Sequence, residues 1–104
     1  MRRAARVDKT QGVIVDALRK VGCKVQSLAP LGGGVADILV KRNKVIHLLE
    51  IKDGDKPPSR RRLTAAQKRW HADWGDCVKV VNNVDEALMA VIGQYTGGGG
   101  KVVR

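Results

Sequence analysis

Two short runs rich in Val, Ile and Leu, joined by a very short connection, constrain the fold of this chain more than any other feature. Both runs lie in "DILVKRNKVIHLLEIK", residues 37–52. Such composition indicates strands, and the tightest connection between them is a two-residue turn at Asn43-Lys44. Asn tolerates the left-handed backbone conformation that this turn requires, although Gly would suit the second position better than Lys. We therefore predict an antiparallel hairpin.

The register that follows from this turn places Asp37 opposite Glu50. Opposed side chains of an antiparallel pair lie about 4.5 to 5.5 Å apart at Cβ. Lys52 lies one strand repeat beyond Glu50 and shares its face. A three-residue loop would send the two acids to opposite faces of the sheet, so their proximity depends on the length of the turn.

Two opposed carboxylates repel each other when both are ionised, and a divalent cation between them removes the conflict. Carboxylate, carbonyl and water oxygens suit Mg²⁺ or Mn²⁺ better than Zn²⁺. Lys52 could then orient or deprotonate an attacking water, or stabilise charge on a phosphate. The structural alternative is an ion pair of Lys52 with Glu50 or Asp37 at an exposed sheet edge, because ExK triplets are common on exposed strands.

Helical spacing predicts three helices around the strands. The first runs from Asp8 to Val21, with Gly22 as its C-cap. The second begins at Thr64, whose capping box is completed by Gln67. The third lies in "NNVDEALMAVIG". The predicted inward residues are Val7, Gln11, Ile14, Leu18 and Val21 in the first helix, Leu63, Ala66, Gln67, Trp70 and Trp74 in the second, and Val84, Leu88, Val91 and Ile92 in the third.

The remaining segments complete one small domain. "KVQSLAP" and "CVKVV" read as further strands, and "LGGGVAD" and "DGDKPPSRRR" read as loops. The order predicts an α/β fold with a mixed central sheet flanked by helices. We assign the folded domain to residues 1–96 and a flexible, basic, glycine-rich tail to residues 97–104.

Charge indicates the kind of partner. Twenty Lys and Arg against ten Asp and Glu leave a net charge of +10 on 104 residues. This favours nucleic acid as the partner over an anionic membrane surface, since no basic amphipathic helix with large apolar anchors is present. No apolar stretch approaches the roughly 18 residues of a membrane span, and no secretory signal is recognisable. Cys23 and Cys77 are predicted to be buried thiols of an intracellular protein, without chemistry.

The stretches "GGGVADILV" and "HLLEIKDGDKPPSRRRLTAAQKRWHADW" resemble the virus-type replication-repair nuclease (VRR-NUC) domains of the PD-(D/E)xK restriction-endonuclease-like superfamily. The resemblance extends over residues 8–92 and is most specific in the hairpin and in the "LTxxQxxWH" pattern. It implies an αβββαβ core and Mg²⁺- or Mn²⁺-dependent hydrolysis of DNA. It also implies a phage- or prophage-encoded homodimer that resolves Holliday junctions in the bacterial cytoplasm, without a small-molecule cofactor.

The same resemblance implies roles for individual residues. Asp37 and Glu50 match the metal-binding acids, Lys52 the catalytic lysine, and the Ile51 carbonyl a backbone metal ligand. Asp8 is the candidate for a further metal-binding acid, although an N-cap role explains it equally well. Ala36 stands where the superfamily motif has Pro, a position that shapes the strand and carries no chemistry. One further residue, Gln11, is the candidate for contact with the metal's surroundings through water.

Other polar residues have both a functional and a structural explanation. Gln67 is either a capping residue or a hydrogen-bond donor to Glu50, to the attacking water or to a phosphate. His71, in the tyrosine position of a QxxxY pattern, is interpreted as structural, as are His47, Trp70 and Trp74. The predicted DNA contacts, whose structural alternatives are a flexible loop and a solvated charge run, are Gly33, Gly34, Lys56, Arg60, Arg61 and Arg62.

The residues and the resemblance together predict a metal-dependent, structure-specific DNA endonuclease, and the resemblance implies that it cuts four-way junctions as a homodimer. A flap or nicking endonuclease with the same residues is the first alternative. A non-catalytic nucleic-acid-binding module, in which the acids are ion-paired, is the second.

Overall fold

A four-stranded mixed sheet forms the centre of the molecule in a computed structural model, which describes residues 9–93. The strands lie in the order β1-β2-β3-β4; the first three are antiparallel, and β4 is parallel to β3. The elements in chain order are α1 (Lys9–Lys20), β1 (Lys24–Ser27), β2 (Ile38–Arg42), β3 (Val45–Ile51), α2 (Ala65–Trp74), β4 (Val78–Val81) and α3 (Val84–Val91). The predicted α/β class with a mixed sheet flanked by helices is confirmed.

The hairpin has the predicted two-residue turn. Arg42 pairs with Val45 and Ile38 with Leu49, which leaves only Asn43 and Lys44 in the connection. Asn43 has a φ of 57°, the left-handed conformation that a tight hairpin turn requires. The paired register ends at Ile38 and Leu49; Asp37 lies directly before it, and its N–H also donates to the Leu49 carbonyl, at 3.0 Å.

One face of the sheet carries the hydrophobic core. Ile38 and Val40 of β2 and Leu49 and Ile51 of β3 point to this face, because alternate residues of a strand share a side. Two helices, α1 and α3, pack against each other and cover this face, and α3 also packs on β4. The core is completed by Ile14, Leu18, Cys23, Val81, Ala87 and Val91.

The first and last helices follow the predicted pattern with one exception. Ile14, Leu18 and Gln11 are buried, and the chain leaves α1 through Gly22 at a φ of 94°. The N–H groups of Gly22 and Cys23 cap the carbonyls of Arg19 and Leu18. Val21, by contrast, is 46% exposed, because the helix ends at Lys20 and Val21 lies in the turn that follows. Asp8, Val7 and the tail at 97–104 lie outside the described residues.

The second helix differs from its prediction. It contains no buried residue, and Trp74 is 49% exposed, so the assignment of Trp74 to the core is wrong. Trp70 and Trp74 stack on each other with ring centroids 5.0 Å apart. The stacking covers part of each ring without contact with the hydrophobic core. The helix lies on the sheet face that carries Glu50, opposite to the face of the hydrophobic core. The predicted burial of Cys77 is also wrong; Cys77 is exposed, and both thiols are free.

None of the helices in residues 9–93 has the length and apolar character that a bilayer crossing requires.

Gly34 lets the loop before β2 pack directly on the first turn of α2. Its φ is 87°, and a Cβ atom there would overlap the carbonyl of Ala66. Gly33 also has a positive φ, 66°, but an added Cβ would meet nothing within 4 Å. We expect Gly33→Ala to cost about 1 kcal/mol of unfolding free energy and Gly34→Ala at least about 2 kcal/mol, since the overlap adds to the backbone strain.

Urea unfolding of the two variants measures this difference. Equal losses of stability would mean that the loop does not approach α2 as closely as described.

Candidate active site

The candidate site lies between α2 and the face of the sheet opposite to the core. Because Ile38, Leu49 and Ile51 point into the core, their neighbours Asp37 and Glu50 point to the other face. Two residues of α2, Gln67 and His71, contact Glu50 on this face. Because side chains alternate between the two faces along β2 and β3, the acids lie on one face of the sheet and the hydrophobic core lies on the other.

Glu50 is the centre of the site. Its side chain is 1% exposed, which is rare for a carboxylate that has no cationic partner. Gln67 donates from Nε2 to one carboxylate oxygen at 3.1 Å, and His71 Nε2 lies 3.2 Å from the other. Both oxygens of Glu50 therefore have partners on α2.

Asp37 is held beside Glu50 by the backbone. The N–H of Ile51 donates to Asp37 Oδ2 at 2.7 Å, a short bond of the kind that carboxylates accept. This bond holds the Asp37 carboxylate at the end of β3, where it is within hydrogen-bond reach of Glu50. The predicted proximity of the two acids is therefore present in the structure.

The environment of the two acids disfavours double ionisation. The pKa of Glu50 is raised from 4.5 to about 8, chiefly by burial and then by the hydrogen bond and negative charge of Asp37, while Lys52 acts in the opposite direction. A carboxyl group that is protonated near neutral pH can donate a hydrogen bond to its neighbour. The pair thus shares a proton where a cation could otherwise lie.

Gln67 performs both of the roles proposed for it. Thr64 Oγ1 accepts from the Gln67 N–H at 3.1 Å, and Gln67 Oε1 accepts from the Thr64 N–H at 2.9 Å, which completes the capping box. The same Oε1 accepts from Lys52 Nζ at 2.8 Å, while Nε2 reaches Glu50. The helix cap therefore orients the amide that connects Lys52 with Glu50.

Lys52 is joined to the acids only through this amide. Its Nζ donates to Gln67 Oε1, and among the described residues neither of the predicted alternatives, an ion pair with Glu50 or with Asp37, is formed. The ammonium group is partly exposed and lies on the same face as the two carboxylates. It is thus available to a negatively charged group that enters the site.

His71 is the residue whose contact with the site was not predicted from the sequence. It is interpreted above as structural, and its Nε2 lies 3.2 Å from Glu50 Oε1. Burial lowers the pKa of His71, and Lys52 lowers it further, so the imidazole is neutral at pH 7. The signal was present in the sequence, since His71 lies four residues after Gln67 and hence on the same side of the helix.

The donor set fits a hard divalent cation only in part. Asp37 and Glu50 supply carboxylate oxygens on one face, and their unfavourable ionisation is what a cation would relieve. Within residues 9–93, no group of three or more His, Cys, Asp and Glu could hold a metal ion. A cation would therefore need these two acids together with carbonyl and water oxygens or a residue outside the described range.

Three predicted metal-site contributions stay predictions. Asp8 lies outside the described residues. Gln11 is buried in α1, which covers the sheet face opposite to the one that carries the acids. The Ile51 N–H is engaged by Asp37, and ligation by the Ile51 carbonyl is untested.

The arginine-rich loop begins and ends at the site. Lys52 precedes the loop, Thr64 follows it, and both donate to Gln67 Oε1. The loop contains a short 3₁₀ turn at Pro58–Arg60. Lys56, Arg60 and Arg62 are exposed, whereas Arg61 is half-buried and its Nε has no hydrogen-bond partner in the described part of the chain.

Comparisons of the chain with protein-family models, with curated proteins and with solved structures find no significant match.

The raised pKa of Glu50 predicts how stability changes with pH in the absence of metal. The folded state retains a proton that the unfolded chain loses, so the free energy of unfolding falls as the pH rises from about 4.5 to about 8. Glu50→Gln keeps the shape and removes this titration. We expect the variant to exceed the wild type in stability at pH 8 by on the order of a few kcal/mol, and much less at pH 5.

Urea unfolding at both pH values in EDTA measures this effect. The lowered pKa of His71 makes the folded state less stable at low pH, and this contribution is present in both proteins. Added Mg²⁺ should stabilise the wild type and leave Glu50→Gln unaffected. A variant that is less stable at pH 8 would contradict the assignment.

Proposed function

We propose that the chain is a divalent-metal-dependent DNA endonuclease of the VRR-NUC group, with a restriction-endonuclease-like αβββαβ core. The observation that supports it most is the adjacent pair of acids, Asp37 and Glu50, with Glu50 connected to Lys52 through Gln67. These are the residues that the resemblance assigns to metal binding and catalysis. A protein without a reaction to perform gains nothing from two acids that disfavour each other's ionisation.

The order of the elements supports the same proposal. One helix, three antiparallel strands, a second helix and a strand parallel to β3 follow each other as the resemblance implies. The parallel pairing is made possible by the α2 crossover, which places Gln67 and His71 over Glu50.

The proposed reaction is hydrolysis of a phosphodiester bond by water. A bound Mg²⁺ or Mn²⁺ would supply positive charge beside the phosphate and promote the ionisation of water. Asp37 and Glu50 would hold that ion, with the Ile51 carbonyl as a backbone ligand. Lys52 would stabilise negative charge on the attacked phosphate or accept the proton of the water, and Gln67 would hold its ammonium in place.

The loop that starts and ends at Gln67 would position the DNA. Lys56, Arg60, Arg61 and Arg62 would contact the phosphates that flank the cut, because the ends of the loop are anchored beside the acids. Gly33 remains a candidate for close approach by the DNA backbone. Gly34, by contrast, packs against the backbone of Ala66, and a Cβ atom would not fit there.

A four-way junction is the substrate we favour, cut by a homodimer in the bacterial cytoplasm. Both features rest on the resemblance, and two cuts related by two-fold symmetry suit such a junction. The net charge of +10 agrees with a branched polyanion. A flap or nicking endonuclease would use the same residues, whereas a non-catalytic binding module would be expected to pair its acids with cations, and Lys52 does not form that pair.

The proposed function is tested with labelled four-way junction, flap and duplex DNA, incubated with Mg²⁺, Mn²⁺ or EDTA. We expect cleavage that requires the metal and is fastest on the junction. Asp37→Asn, Glu50→Gln and Lys52→Ala should each lower the rate by at least about 100-fold, since each removes a metal ligand or a charge at the phosphate.

Asp85→Asn, an exposed acid of α3, is the matched control and should cut like the wild type. If no DNA is cut with either metal, while binding persists and Glu50→Gln has no effect on it, the chain is a binding module. Faster cleavage of the flap would identify the flap endonuclease instead.

The two roles of Gln67 can be separated by comparison with its capping partner. Thr64→Ala removes one bond of the capping box, at a cost of about 1 kcal/mol, but leaves the Gln67 amide near Lys52 and Glu50. Gln67→Ala removes the cap and both of those contacts. We expect Gln67→Ala to lose at least as much stability as Thr64→Ala, and the cleavage rate to fall in Gln67→Ala alone. Equal rates for the two would reduce Gln67 to a structural residue.

A further inference from the structure

A basic groove lies on the half of the sheet's polar face that is farther from the two acids. It has a volume of about 560 Å³ and its lining includes Arg19, Lys24, Lys41, Leu39 and Ile46. Leu39, Lys41 and Ile46 alternate with the core-facing residues of β2 and β3 and therefore share the face of Asp37 and Glu50. The groove and the candidate active site thus belong to one surface.

Two lysines oppose each other directly in this groove. Lys24 pairs with Lys41 in the antiparallel register of β1 and β2, and both are exposed. Like charges in directly opposed positions destabilise a sheet, because their side chains lie about 4.5 to 5.5 Å apart at Cβ. A third cation is held nearby, since Arg19 Nη2 donates to the Val25 carbonyl at 3.2 Å. An anion between these groups would relieve their repulsion.

The protein itself supplies no such anion from the adjacent segments. Residues 17–36 and 38–49, which contain β1, the hairpin turn and most of β2 and β3, include neither Asp nor Glu. A second copy of a chain with a net charge of +10 would bring more positive charge to this surface. The occupant that matches the groove is therefore a polyanion.

The distance between the groove and the acids suits a DNA backbone. Lys41 lies four residues beyond Asp37 on the same face of β2, which corresponds to roughly 13 Å along the strand. Phosphates of one strand of duplex DNA recur about every 3.4 Å along the helix axis, so this separation spans about four base pairs. Leu39 and Ile46 form an apolar floor that the sugar edge of the backbone can contact.

We propose that Lys24, Lys41 and Arg19 bind the phosphate backbone of the DNA arm that extends from the scissile bond, about four base pairs from the cut. This inference rests on the proposed function for the identity of the arm, but the groove's affinity for DNA does not require cleavage. The arginine-rich loop would hold the phosphates at the cut, and the groove would fix the direction of the arm.

The test measures binding of a fluorescently labelled four-way junction and of a duplex in EDTA, over a range of salt concentrations. Lys41→Glu should weaken binding by at least about tenfold and lower the slope of log K against log salt by about 1. Lys79→Glu is the matched control: it reverses one exposed strand lysine on β4, at the other edge of the sheet, and should change affinity less than about twofold.

Thermal unfolding distinguishes lost binding from lost folding. Because Lys41→Glu places a negative charge opposite Lys24, its melting temperature should equal or exceed that of the wild type. Wild-type affinity and salt slope in Lys41→Glu would overturn the proposal, even if the protein cuts DNA. Weakened binding in a protein that cuts no DNA would support the groove and reject the nuclease.

Discussion

The proximity of Asp37 and Glu50 is the constraint on which the rest of the site depends. It exists because the hairpin turn has two residues, with Asn43 in the left-handed conformation, and because Ile38 and Leu49 pack into the core on the other face. A shift of one residue would bury the acids in the core and expose its aliphatic side chains. The hydrophobic core and the proposed chemistry therefore require the same register, and neither can change without the other.

Glu50 shows the cost of this arrangement. Its carboxyl is buried with polar partners only, and its pKa lies near 8. Lys52 could neutralise it but is held instead by Gln67, whose amide is oriented by the cap of α2. The capping box thus keeps Lys52 from pairing with Glu50. In the proposed nuclease, this would leave the acids for a cation and the ammonium for a phosphate.

Much of the fold could be predicted because local patterns and tertiary contacts agree. Aliphatic runs, the Asn43 turn, the Gly22 terminus of α1 and the Thr64 cap are each decided within a few residues of the chain. The environment of α2 was not predictable in this way. Its helical stripe of Trp70 and Trp74 has the spacing of a buried face, but periodicity does not show whether the helix meets the apolar or the polar side of the sheet. Trp74 is consequently half-exposed.

The sequence by itself determined the register of the hairpin, and hence that Asp37, Glu50 and Lys52 share one face, because turn length and side-chain alternation are local properties. Only the tertiary structure decided how those groups are connected. The crossover of α2 brings Gln67 and His71 to Glu50 across more than a dozen residues, and the pairing of β1 with β2 sets Lys24 against Lys41. Such contacts depend on where whole elements pack, which no spacing within a single segment specifies.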